Sequence, residues 1–140
     1  MLQGGPSRRQ QSVTPCISPD FIRTISPAIL DKALRDGPIP ILVYLTNPDA
    51  FCQPRAHAEY FTEFAGYCPA GSQTTNWHWM CIVGSSPGRR GYDPVAALDD
   101  PHYVVRNSHG PEINHKGLVY IPKHLVSNIK HAVWMRPSKP

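Results

Sequence analysis

Proline constrains the fold of this chain more than any other residue type, since 16 of its 140 residues are proline. Proline lacks the backbone N–H that helix interiors and central strands need, so it concentrates in turns, at strand ends and in the first turn of helices. Such a frequency argues against a helical bundle and favours a fold rich in strands and loops. The length is sufficient for one domain with a buried core.

Two short apolar runs, each beside a polar residue able to do chemistry, organise the candidate site. Residues 80–83 and 103–105 are rich in β-branched and aromatic side chains and are bounded by glycine and proline turns, which predicts two buried strands. His78 lies at the start of the first run and Asn107 at the end of the second. Across a sheet edge, the Asn107 side-chain carbonyl can accept a ring N–H of His78 and fix its tautomer, as the third member of a catalytic triad does.

The other segments predict one helix and further strands around these two. Residues 26–37 begin with a serine N-cap and a proline at the first helical position, and they end with a glycine, which predicts a short helix. The apolar stretch 38–46 predicts a strand that is central or buried on both faces. Residues 116–122 and 129–135 predict two more strands. We therefore expect an α+β half-barrel of about five to six antiparallel strands with about one or two short helices.

The two ends of the chain carry little apolar pattern. We expect residues 1–19 to be a flexible lead-in, residues 20–136 to form the domain and residues 137–140 to be a tail. No stretch approaches the roughly 18 to 20 apolar residues of a membrane span, and the lead-in has no signal-peptide core. The formal net charge is +4 with scattered basic residues, so we expect neither nucleic acid nor a membrane as partner.

Four cysteines offer candidate thiols at spacings that match no zinc or CxxC motif. Cys52 is the candidate nucleophile among them, because the residues after it are compatible with a helix, and a helix N-terminus lowers a thiol pKa. On that hypothesis Cys52, His78 and Asn107 form a compact thiol hydrolase or transferase. The alternative is an unreactive small side chain at Cys52. The seven histidines match no metal signature, so we expect no metal and no cofactor.

The surroundings of both polar residues resemble those of a known enzyme family. Residues 77–84 read Trp-His-Trp-Met-Cys-Ile-Val-Gly, similar to Asn-His-Ala-Val-x-x-Val-Gly in that family. Residues 106–118 read Arg-Asn-Ser-His-Gly-Pro-Glu-Ile-Asn-His-Lys-Gly-Leu, similar to Lys-Asn-Ser-Trp-Gly-x-x-Trp-Gly-x-x-Gly-Tyr. The ordered set resembles the C-terminal, right-hand β-barrel half of papain-like cysteine peptidases, the C1 family. By that resemblance His78 would be the general base and Asn107 would orient its imidazole.

The chain departs from the family pattern at positions that bear on activity. It has no Cys-Gly-Ser-Cys-Trp motif, and only 77 residues precede His78, whereas the family places its nucleophile roughly 130 to 150 residues before the base. We therefore expect the half with the nucleophile and the oxyanion-hole glutamine to be absent. His109 stands where the family has the tryptophan that shields the Asn–His pair. We expect His109, Trp77 and Trp79 to shield or wall the cleft.

Three hypotheses follow. The first is a papain-like peptidase acting through a Cys-His-Asn triad, present as its His- and Asn-bearing half and inactive unless a partner chain supplies the cysteine. Its partners would be that nucleophile half and a peptide or protein substrate. The second is a truncated or degenerate pseudoenzyme that serves as a binding or regulatory module. The third is the compact enzyme based on Cys52. The family is mostly lysosomal, vacuolar or secreted, and the chain itself indicates no compartment.

Overall fold

A computed structural model describes residues 17–72 and 74–138. The elements in chain order are β1 Ile17–Phe21, α1 Pro27–Leu34, β2 Ile39–Leu45, α2 Pro48–Phe51, β3 Phe64–Ala65, β4 Trp77–Ser86, β5 His102–Arg106, β6 Leu118–Pro122 and β7 His131–Pro137. Short 3-10 helices occur at Thr74–Asn76, Arg89–Gly91 and Lys123–Asn128. No helix in this described part is long and apolar enough to cross a membrane.

The strands form one antiparallel sheet in the order β1-β7-β2-β4-β5-β6, with β3 paired to β2 beside this path. The stretch before β3 runs from one edge of this sheet back to its middle. There the N–H of Phe61 donates to the carbonyl of Tyr120 on β6 at 2.7 Å, and β3 then pairs with the end of β2. The predicted α+β class is confirmed, with seven strands in the described chain, one of them only two residues long.

Helix α1 begins where its local signals predict. The Ser26 hydroxyl accepts the N–H of Ile29 at 3.4 Å, and Pro27 occupies the first helical turn, where its missing N–H costs no hydrogen bond. Leu30 and Ala33 lie on the buried face of the helix and belong to the hydrophobic core of the domain. The helix thus packs its apolar face into the core of the domain.

Side chains alternate along β4 between a buried and an exposed face, as in any strand with one face on a core. Met80 and Ile82 are 3% and 0% exposed, whereas Trp79 and Val83 are 47% and 39% exposed. His78 has the same parity as Met80 and Ile82. It therefore extends the core-facing row of β4 to the end of the sheet, where the strand begins.

Strand structure extends into both segments that the sequence assigned to the chain ends. β1 pairs with β7 from Ile17 onward, inside the expected lead-in 1–19, and β7 continues to Pro137. All five residues of β1 are exposed, so no apolar alternation marks this edge strand in the sequence. The rest of the expected lead-in, residues 1–16, and the last two residues of the expected tail lie outside the described residues.

Candidate active site

His78 lies at the end of the sheet where β4 begins and β5 ends. The β4–β5 ladder ends with the pair Cys81 and Arg106, and His78 and His109 lie beyond that pair on their two segments. The two imidazole rings lie parallel, with centroids 4.9 Å apart and an interplanar angle of 8°. His109 is therefore the residue that covers His78, and Asn107 directly follows the last residue of β5.

Phe51, the last residue of α2, forms an apolar wall beside both imidazoles. Its side chain is fully buried, and its ring meets His78 edge-on at 5.0 Å and His109 at 6.0 Å between centroids. Burial lowers the pKa of His78, and the neighbouring His109 lowers it further, because both disfavour a positive charge on the ring. At neutral pH the His78 imidazole is therefore the uncharged form, which can accept a proton.

The Asn107 side chain is buried and takes part in a chain of hydrogen bonds. Its Oδ1 accepts the backbone N–H of His109 at 2.7 Å, and its Nδ2 donates to Oδ1 of Asn114. Nδ2 of Asn114 in turn donates to the carbonyl of Phe51 at 2.7 Å. Within residues 17–72 and 74–138 no hydrogen bond joins His78 to Asn107, and the buried Nε2 of His78 has no partner.

The two tryptophans beside His78 lie on the other face of β4. The ring of Trp77 packs edge-on against Tyr44 of β2, with centroids 5.1 Å apart. Trp79 is 47% exposed and lines a shallow, mainly apolar cavity of about 220 Å³ together with Arg106. Of the three side chains expected to shield the site, His109 is the one in ring contact with His78.

The cysteines of the described chain do not meet His78. Cys52 is the C-cap residue of α2, and the helix expected to follow it is not formed, so no helix N-terminus stabilises a thiolate there. Cys81 lies on the opposite face of β4 from His78, and burial raises its pKa. Cys52, Cys68 and Cys81 are all free thiols. Cys16 lies outside the described residues.

Two residues of the site were not found from the sequence. Asn114 has φ +59°, a left-handed conformation that glycine adopts most readily. It stands where the family pattern has a glycine, so the departure at this position was the available signal. Phe51 had no signal, because its contacts with the imidazoles depend on the packing of α2 against β4. No cluster of three or more potential metal ligands occurs among the residues that the structure describes.

The chain matches no protein-family model and no curated protein sequence. Among solved structures it is similar to the digestive procathepsin L2 proteinase from the larval midgut of Tenebrio molitor, with 17% sequence identity and a TM-score of 0.48. The similarity covers 87% of this chain and 34% of that chain, so this chain spans about a third of the length of the similar structure.

Proposed function

We propose that this chain is the His- and Asn-bearing half of a papain-like cysteine peptidase whose thiol is supplied by a partner chain. His78 is the general base, Asn107 orients its imidazole, and the substrate is a peptide or protein. One observation carries the proposal: His109 contacts both residues, with its ring on His78 and its backbone N–H donating to the side-chain Oδ1 of Asn107. The two residues that the sequence pattern singles out therefore share one neighbour at one end of the sheet.

The chemistry assigned to His78 requires a neutral imidazole. Burial and the neighbouring His109 lower the pKa of His78, so the neutral imidazole can accept the proton of an approaching thiol at Nδ1. The thiolate attacks the peptide carbonyl carbon, and the imidazolium returns its proton to the amine that leaves. Water then hydrolyses the thioester, again with His78 as the base.

The role assigned to Asn107 uses an acceptor position that the hydrogen-bond chain leaves open. A side-chain amide oxygen has two lone pairs, and Oδ1 of Asn107 uses one of them for the N–H of His109. The buried Nε2 of His78 has no partner in the described part of the chain. A hydrogen bond from Nε2–H to Oδ1 would satisfy both atoms and leave Nδ1 as the base.

A second candidate is a non-catalytic binding or regulatory module in which His78 and Asn107 are relics of a triad. It is favoured by a specific observation, the use of the Asn107 oxygen by a backbone N–H instead of by the imidazole. In addition, His109 is polar, so it would shield a hydrogen bond between His78 and Asn107 from water less well than a tryptophan would. The compact enzyme based on Cys52 receives no comparable support, since the helix that would activate its thiol is not formed.

The test is hydrolysis of a fluorogenic peptide by the chain mixed with a separately produced polypeptide that carries the Cys-Gly-Ser-Cys-Trp motif. We expect activity in the mixture and none in either component alone. His78→Ala should lower the rate by about 10² to 10⁴, the usual contribution of a general base. Asn107→Ala should lower it less, because the base remains but is no longer oriented.

The matched control is His124→Ala, which removes an exposed histidine of the 3-10 helix after β6. It should leave the rate of the mixture unchanged. Hydrolysis by this chain alone, or by a mixture that is insensitive to His78→Ala, would overturn the proposal. A mixture that never hydrolyses the peptide, with the chain remaining a folded monomer, would favour the binding module.

A further inference from the structure

We propose that Asn114 is a positioning residue of this site, which determines the direction in which the amide of Asn107 faces. The inference concerns hydrogen bonds within this chain. It rests on the proposed function only in that the Asn107 amide would serve to orient the His78 imidazole. No catalytic contact is assigned to Asn114 itself. It acts through Asn107, whose Nδ2 donates to Oδ1 of Asn114.

The Phe51 end of the hydrogen-bond chain determines which group donates and which group accepts at each link. The carbonyl of Phe51 can only accept, so the atom of Asn114 that lies 2.7 Å from it is the donor Nδ2. The Oδ1 of Asn114 therefore faces Asn107, and it accepts the hydrogen bond that Nδ2 of Asn107 donates. The oxygen of Asn107 is left on the opposite side, where it accepts the N–H of His109. A flipped Asn107 would bring two donors together at the N–H of His109 and two acceptors together at Asn114.

Because both amides are buried, neither can easily flip and exchange its donor and acceptor atoms. Asn107 and Asn114 are 6% and 3% exposed, so water does not reach them freely to replace a lost partner. An amide turned the wrong way in such a place would leave polar atoms unsatisfied. The orientation of the Asn107 amide is therefore set by its buried partners.

The backbone of Asn114 is held as firmly as its side chain. Its N–H donates to the carbonyl of Gln53 at 2.9 Å, and its carbonyl accepts the N–H of Arg55 at 2.8 Å. These bonds keep the residue at φ +59°, where glycine would be less strained. Glycine would also lack the amide that joins Asn107 to Phe51. The Asn114 side chain thus forms a hydrogen-bonded bridge between Asn107 and Phe51, although the backbone here is more strained than a glycine would be.

This bridge connects the Asn107 amide to Phe51, the apolar wall of the site. The carbonyl that anchors Asn114 belongs to Phe51, whose ring contacts both His78 and His109. One residue therefore fixes the amide orientation relative to the segment that packs against both imidazoles. Removing its side chain should free the Asn107 amide to rotate and should change the surroundings of the His78 ring.

The experiment compares Asn114→Gly with Lys116→Gly by NMR of the whole chain. Lys116 is exposed, has φ +56° and lies in the same loop, so its replacement relieves the same backbone strain without removing the bridge. In Asn114→Gly we expect the side-chain amide protons of Asn107 to exchange about tenfold faster or more, as for the loss of one buried hydrogen bond. The ring ¹⁵N shifts of His78 should move as well. Lys116→Gly should leave both signals unchanged.

Asn114→Asp separates positioning from mere stability. A carboxylate still accepts from Nδ2 of Asn107 but cannot donate to the Phe51 carbonyl, so the variant should be less stable and yet keep the slow exchange of the Asn107 amide. This variant also serves if the glycine variant does not fold. Unchanged Asn107 exchange and His78 shifts in folded Asn114→Gly, or loss of slow exchange in folded Asn114→Asp, would overturn the inference. Because no peptide hydrolysis is measured, failure of the proposed peptidase activity and failure of this inference are separate results.

Discussion

The imidazole of His109 covers the imidazole of His78 with nearly parallel planes and a centroid distance of 4.9 Å. In the peptidase family that the sequence resembles, a tryptophan stands at the position of His109, and an indole does not ionise. Here the covering ring is a second imidazole, and after burial it is the next cause that lowers the pKa of His78. The ring that covers the candidate base therefore also affects its protonation.

Replacing His109 should show which effect lowers the pKa of His78. Burial is the larger cause and the charge of His109 the smaller one. His109→Trp keeps the ring covered, so the pKa should stay below its ordinary value of 6.5, whereas His109→Ala exposes the ring and should return the pKa toward that value. An NMR titration of the His78 ring protons measures both, with His124→Ala as the control. A pKa equally high in the tryptophan and alanine variants would show that the charge dominates.

Acid should destabilise the fold through His78. Its pKa is lowered in the folded chain, so the unfolded chain binds the proton first as the pH falls. The free energy of unfolding should therefore decrease as the pH falls below 6.5 and continue to decrease until the folded pKa is passed. Denaturant unfolding of the wild type and His78→Gln between about pH 7.5 and about pH 5 measures this, because only the wild type has the His78 contribution. An identical pH dependence in the two proteins would contradict the linkage.

Tyr103 should join α1 to the sheet through its hydroxyl. The hydroxyl lies 2.7 Å from the Asp31 carboxylate, and burial first, then Asp31, raises the pKa of Tyr103, so the group remains a donor. Tyr103→Phe should lower the free energy of unfolding by about 1 to 2 kcal/mol, since Asp31 is partly exposed and water replaces part of the bond. Tyr92→Phe alters a tyrosine that is 96% exposed and should change stability by no more than about 0.5 kcal/mol. Equal effects of the two substitutions in urea unfolding would refute this role.

Alkylation should find no activated thiol among the described cysteines. With iodoacetamide at about pH 6, labelling of Cys52 and Cys68 should be slow, because neither thiol lies at a helix N-terminus that would stabilise a thiolate. Cys81 should react more slowly still, because burial raises its pKa. Peptide mass spectrometry gives the rate at each position, and His78→Ala should leave all of the rates unchanged. Fast labelling of Cys52 that disappears in His78→Ala would restore the compact thiol enzyme and remove the need for a partner chain.

Much of the fold was predictable because its signals are local. The serine cap and the following proline mark the start of α1, and runs of β-branched and aromatic residues mark β2, β4, β5, β6 and β7. β1 was missed because all of its residues are exposed, and β3 because it is two residues long and exists only through its pairing with β2. Neither strand has a pattern that sequence periodicity can detect.

The sequence alone determined which residue types are available at the candidate site. It places His78 at the start of one predicted strand and Asn107 at the end of another. It also has His109 and Asn114 where the pattern that it resembles has tryptophan and glycine. These are properties of single positions and of short-range spacing, so they can be read without knowing how distant segments pair.

Only the tertiary structure decided which of these residues meet. A shift of one residue in strand register moves every side chain to the other face, and in the β4–β5 ladder the register changes at an irregularity between Ile82 and Gly84. Beyond the last pair of this ladder, the ring of His109 packs on the ring of His78. The direction of the Asn107 amide depends on Asn114 and on the carbonyl of Phe51, a residue 63 positions away from Asn114 in the chain. Such partners are set by long-range packing, which no local pattern encodes.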